Sequence, residues 1–86
     1  MKYQIVVSDK FDGIIKKLSK TKPTVFKNLK KQILKIVVNP DMGKPLRNVL
    51  KNCRRVHIGP FVLIYEIARN EIRLLDFDHH DKIYKG

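Results

Sequence analysis

Apolar positions along this chain follow a two-residue period at both ends and a helical period in between. Tyr3, Ile5 and Val7 recur at every second position, so Tyr3 to Ser8 reads as a short strand. Ser8 or Asp9 can cap the segment that follows. There Phe11, Ile14, Ile15 and Leu18 return at helical spacing from Lys10 to Lys20, with Gly13 weakening the first turn. Thr21-Lys22-Pro23 breaks the pattern, and Pro23 suits the first turn of a second helix. From Thr24 to Val38 the residues Phe26, Leu29, Ile33, Ile36 and Val37 form one apolar face, while Lys27, Lys30, Lys31 and Lys35 occupy the other. Asn39-Pro40 ends it.

Asp41 to Lys44 reads as a loop, and Pro45 can open a short edge strand through Leu46 and Asn48. Cys53 to Ile58 alternates, with Val56 and Ile58 on one face and Arg55 and His57 on the other. Gly59-Pro60 fits a two-residue turn. Phe61 to Ala68 is apolar on both faces, as a central strand is, and Arg69-Asn70 turns the chain into a third strand, Glu71 to Phe77. The residues from Asp78 onward form a short C-terminal tail expected to fold back beside the sheet. The expected architecture is α+β: an N-terminal strand, then a two-helix hairpin packed on a three- to four-stranded antiparallel sheet, all within one domain spanning 1–86.

Composition adds a sign to this plan. Nineteen Lys+Arg against eight Asp+Glu give a formal net charge of +11, and all five arginines lie from Arg47 onward. Such an excess favours a polyanion or a strongly acidic protein as partner, although solvated lysine faces have the same composition. No run approaches the ~18 apolar residues of a membrane helix, so no membrane partner is expected. The first residues do not read as a signal sequence, and the single Cys53 allows no internal disulfide; a cytoplasmic location is the expectation.

All three histidines, His57, His79 and His80, stand at ends of short apolar strands beside Arg, Lys, Asp and Tyr. Arg55 and His57 are two apart in a strand, which sets their side chains on one face ~6–7 Å from each other. One can hold a phosphate while the other exchanges a proton beside it; an ordinary solvent-facing strand has the same spacing. Cutting RNA by attack of a ribose 2′-hydroxyl requires no metal: it requires a base, cations for the phosphorane charge and an acid for the departing 5′-oxygen. Histidine suits either proton role. Arg54 and Arg55 nearby favour a neutral His57, a base, whereas Asp78 and Asp81 flank His80 and favour its charged form, an acid; the reverse assignment has the same parts. In a straight strand Cys53 and His57 stand ~13 Å apart, too far to share an ion, so no metal and no cofactor is expected. Tyr84 follows His80 by four residues and can either stack on a base or anchor the tail.

The run Gly43-Lys44-Pro45-Leu46-Arg47-Asn48, leading to Arg54-Arg55-Val56-His57-Ile58 and Leu63-Ile64-Tyr65-Glu66-Ile67, resembles the RelE/ParE superfamily of toxins from toxin–antitoxin modules. The closing Asp78-His79-His80-Asp81-Lys82-Ile83-Tyr84 is similar to the tail in which that family places a histidine or arginine and an aromatic. The resemblance implies a small antiparallel sheet on a helical hairpin. For RelE-like and YafQ-like members it also implies a ribosome-dependent endoribonuclease (mRNA interferase) that cuts mRNA in the A site and so inhibits translation. On that footing Arg55 and His57 match the strand positions that supply a cation or a base, and His80 matches the YafQ tail histidine. Tyr84 matches the tail aromatic and Arg47 the basic residue of the Leu-Arg pair; Lys44, Arg54 and Lys82 are further cations expected at the RNA backbone. Two positions depart: Val62 stands where RelE has an arginine, and Pro60-Phe61 where YafQ has an Asp-Trp pair. ParE-like relatives share the fold, inhibit DNA gyrase and lack the histidine pair, so a non-catalytic binding module is the other reading. The resemblance implies an acidic antitoxin as partner, the toxin being a monomer alone or part of a hetero-oligomer with it.

Overall fold

A computed structural model describes residues 3–46 and 52–83. Strand β1 (Gln4–Val7) leads into helix α1 (Asp9–Thr21), whose N-cap Ser8 accepts the Phe11 N–H at 3.1 Å. Asp9 and Asp12 sit in the first turn, where the helix dipole favours a negative charge. Helix α2 (Pro23–Val38) opens with proline in its first turn, where no N–H is missed. A 3-10 turn, Pro40–Met42, then leads to β2 (Lys44–Pro45), β3 (Cys53–Ile58), β4 (Phe61–Ala68), β5 (Glu71–His79) and a last short helix, α3 (His80–Ile83). The turn between β3 and β4 puts Gly59 at φ 58, and the next one puts Arg69 at φ 57.

The sheet has five strands in the order β1-β5-β4-β3-β2 and is mixed. β2 to β5 are antiparallel neighbours, whereas β1 lies parallel to β5, Gln4 opposite Glu71 through Val7 opposite Leu74. It therefore exceeds the expected three to four strands by the N-terminal one, because the crossover through both helices returns β1 alongside the last strand. β5 also runs two residues past Phe77: Asp78 and His79 pair with Val62 and Phe61 rather than starting the tail.

The helical hairpin covers one face. Phe11, Leu18, Leu29 and Ile36 pack there against Val56, Ile58, Leu63, Tyr65, Ile72, Leu74 and Phe77. The opposite face carries a second, smaller apolar cluster: Cys53, Val62 and Ile64 are buried, with Leu46, Leu75 and Ile83 packed against them. Each fully buried aliphatic side chain there contributes about 1.5–3 kcal/mol. The second face is thus only partly open, and α3 lies across it through Ile83. No helix is long and apolar enough to cross a membrane.

Candidate functional site

Pairing registers decide which expected site residues meet. Lys44 is opposite Arg55, Arg55 opposite Ile64, and His57 opposite Val62, so Lys44, Arg55 and His57 share the face that carries the smaller cluster. His57 and Lys44 are exposed and Arg55 is half-buried. His80 arrives from the end of β5, across β4 from His57. Its backbone N–H donates to the Pro60 carbonyl at 2.9 Å, and three residues on Ile83 anchors α3 against the buried aliphatics. The His57 and His80 rings consequently lie 5.8 Å apart between centroids, tilted by 30°. Two titratable rings more than twenty residues apart in sequence thus meet on the sheet face that carries Arg55.

Asp81 sits beside the pair. Its carboxylate lies 3.7 Å from His80 Nδ1 and 3.7 Å from His79 Nδ1, contacts that become ion pairs when the imidazoles are protonated. His79 itself points to the helix side, edge-on to Phe61 at 5.9 Å, and does not join the pair. Val62 is fully buried beneath α3, in the apolar seat of Ile83; an arginine in its place would have to hold a charge there.

Two expected cations, Arg54 and Lys82, fall elsewhere. Arg54 is opposite Tyr65 on the helix-covered face, where its Nη1 donates to the Gly43 and Asp41 carbonyls at 2.7 and 3.2 Å and its Nη2 lies 3.5 Å from the Asp41 carboxylate. It holds the 3-10 turn, and alternation along the strand, which separates Arg54 from Arg55, sets it away from His57. Lys82 lines a groove of about 320 Å³ whose walls include Lys10 and Lys17 of α1, Lys22 at its C-cap, and Phe61 and Phe77 of the sheet. Arg73 is engaged by Glu71 at 3.1 Å and Glu66 at 3.6 Å. Arg47 and Tyr84 lie outside the described residues.

Sequence reasoning missed two supports of the site. One is Ile83, whose apolar side chain three residues after His80 was a readable signal. The other is Tyr65. It is fully buried, donates its hydroxyl to the Pro40 carbonyl at 2.6 Å and accepts the Gly43 N–H at 3.0 Å, so the turn that precedes Lys44 is tied to the middle of β4. A Cβ on Gly43 would come within 2.5 Å of that hydroxyl and 3.0 Å of the Arg55 carbonyl, which leaves room for glycine alone. Among the described residues no group of three or more His, Cys, Asp or Glu is arranged to hold a metal ion. Burial, aided by the nearby Glu66 carboxylate, pushes the Cys53 thiol up from its usual value, the environment of an inert side chain rather than a nucleophile.

Comparison with known proteins bears on the family and the fold. The family model described as the ParE toxin of the type II toxin–antitoxin system parDE matches residues 5–84. A Methanocaldococcus jannaschii protein carrying the toxin name RelE4 is 40% identical over 86 residues, covering 96% of this chain and 92% of that one. Among solved structures, the Escherichia coli DinJ-YafQ toxin-antitoxin complex aligns with a TM-score of 0.80 at 20% identity, over 98% of this chain and 99% of that one. The toxin-antitoxin complex RelBE2 of Mycobacterium tuberculosis gives 0.77 at 21% identity, over 93% and 100%. At such identities the structures speak to the fold, and the family match and the archaeal relative to kinship. This chain belongs to the ParE/RelE family of toxins from type II toxin–antitoxin modules.

Proposed function

We propose that the chain is a metal-independent endoribonuclease, a toxin that cuts mRNA in the A site of the ribosome and so stops translation. The observation that carries this reading is the His57–His80 ring pair, 5.8 Å between centroids, on the sheet face that also bears Arg55 and Lys44. One imidazole takes the proton of a ribose 2′-hydroxyl, and the freed oxygen attacks the adjacent phosphorus. The bond to the 5′-oxygen breaks, and the second imidazole, as imidazolium, gives that oxygen its proton. The products are a 2′,3′-cyclic phosphate and a free 5′-hydroxyl. Arg55 and Lys44 stabilise the charge that builds on the phosphoryl oxygens. In this reading His80, whose Nδ1 lies 3.7 Å from the Asp81 carboxylate, is the acid and His57 the base. Arg47 and Tyr84 complete the site in this reading, as phosphate and base contacts from the resemblance.

The experiment is primer extension on ribosomes programmed with a defined A-site codon. Wild type should cut and the His57→Ala, His80→Ala double mutant should not, while each single substitution lowers the rate by at least ~10²-fold. Cleavage that survives the double substitution removes the histidines from the mechanism. The matched ParE model favours a second reading, in which the fold binds DNA gyrase without chemistry. A wild-type chain that leaves programmed mRNA intact and inhibits supercoiling would decide for it.

A further inference from the structure

His79 takes no part in the ring pair, yet it occupies the joint on which that pair depends. It is the last residue of β5 and directly precedes α3, which puts it at the N-cap position of the helix that begins with His80. Three consecutive amides at this joint each have a fixed acceptor. The His79 N–H donates to the Asp78 carboxylate at 2.7 Å, the His80 N–H to the Pro60 carbonyl at 2.9 Å, and the Asp81 N–H to His79 Nδ1 at 3.3 Å. The third is an N-cap bond, from the side chain to the amide two positions on. An imidazole makes it here, where Ser, Thr, Asp or Asn is the common choice.

A ring nitrogen accepts an N–H only through its lone pair, so this bond selects one form of the side chain: neutral, with the proton on Nε2. Protonation places a hydrogen between His79 Nδ1 and the Asp81 nitrogen, and two donors then face each other. The new N–H has the Asp81 carboxylate, 3.7 Å away, as its alternative partner, and that carboxylate also lies 3.7 Å from His80 Nδ1. The other charges near His79 are Asp78 on its own strand, Lys82 on α3, and Lys22, whose ammonium lies 5.0 Å from the Phe61 ring that His79 meets edge-on. An ammonium has no lone pair, and the Asp78 carboxylate is turned to the His79 N–H, so none of these replaces Nδ1 as the cap.

We infer that His79 is a positioning residue for His80: its neutral imidazole caps α3 and so holds the His80 ring beside His57. A helix of four residues does not persist on its own ladder, so α3 depends on its attachments, Ile83 at one end and the amide acceptors at the other. Those acceptors are a carboxylate, a carbonyl and an imidazole, and only the last is of a type that changes charge between pH 5 and 8. Acid therefore removes the cap and loosens the ring pair, while neutral and alkaline pH keep both. The effect on cleavage rests on the ribonuclease reading; the cap itself does not.

The test is NMR of the imidazole nitrogens in the full chain, joined to single-turnover cleavage on programmed ribosomes across pH. Neutral His79 should show an unprotonated Nδ1, and the Asp81 amide should shift as His79 titrates. His79→Leu keeps an apolar side chain against Phe61 without the acceptor. At about pH 8 it should weaken the contacts between the His57 and His80 rings and lower kcat about fivefold, with KM little changed. His79→Asn supplies an oxygen that caps and does not titrate, and should restore both. In acid, wild type should lose about fivefold beyond the single titration of the base, and His79→Asn should lack that extra loss. A neutral His79 with its proton on Nδ1 overturns the inference, and so do equal acid losses in wild type and His79→Asn. If His79→Leu does not fold, those two results decide. A wild type that cuts nothing, yet shows the expected tautomer and ring contacts, counts against the ribonuclease reading and leaves the cap standing.

Discussion

Tyr65 and Gly43 show how a buried side chain sets the position of an exposed one at the candidate site. The Tyr65 hydroxyl is the partner of two backbone groups, the Pro40 carbonyl and the Gly43 N–H, and it is buried. Tyr65→Phe leaves both groups without that partner, which should cost about 1–3 kcal/mol in urea denaturation. Because Lys44 follows Gly43 and pairs with Arg55, cleavage should weaken in the same variant through kcat more than through KM. The pH dependence has a definite sign. Burial, the larger influence, pushes the Tyr65 hydroxyl above its usual 10.0. The folded state thus favours the neutral phenol, and this stabilisation is complete below the unfolded value and is lost as pH rises through the folded one. A urea midpoint that declines above about pH 10 in wild type should decline less in Tyr65→Phe. Cys53 behaves alike: its buried thiol should resist alkylation at neutral pH in the native chain and react on unfolding. Rapid native labelling would contradict the burial.

At the scale of elements, α3 converts an apolar contact into the spacing of the His57 and His80 rings. Four residues cannot hold a helix by themselves; its position depends on Ile83 in the seat of Cys53, Val62 and Ile64. Ile83→Ala should therefore lower cleavage nearly as much as His80→Ala. It should cost the fold at most about 2 kcal/mol, since Ile83 is only half-buried. Contacts between the His57 and His80 rings in NMR spectra should weaken in this variant; persistence of both contacts and activity would show that α3 docks without Ile83. This is also where the sequence was least readable. β3 and β4 were legible to the residue, since alternation and the Gly59 turn are local signals. The two-sided apolar pattern of Phe61 to Ala68 announced that both faces are covered, yet nothing local says that Ile83 and Leu75 supply the second cover. Leu75 is the extra residue where the register shifts between Ile64 and Tyr65, a bulge that depends on strands pairing. The parallel pairing of β1 depends on long-range packing in the same way. Arg54 and Arg55 looked equivalent as neighbours, and only alternation on a sheet covered by helices on one side assigns one to a loop and the other to the site.

The whole molecule separates its charge by face. Lys27, Lys30, Lys31 and Lys35 are exposed on the outer side of α2, with the hairpin and the sheet between them and the His57–His80 pair. Lys44 and Arg55 are on the histidine side. A distributed field attracts RNA from a distance, and only charges at the phosphates act on the transition state. The two sets should therefore fail differently. Replacing the four α2 lysines by Gln removes four charges from a net of +11 and should slow association at low salt, leaving cleavage of bound mRNA unchanged. Lys44→Gln should instead lower cleavage at saturation and reduce the salt slope for single-stranded RNA by about 0.7, the value of one released counterion. Stopped-flow association and single-turnover cleavage on programmed ribosomes, each at two ionic strengths, separate these outcomes. Equal losses in both variants would mean that the mRNA runs over the helices, and that the ring pair of His57 and His80 lies off its path.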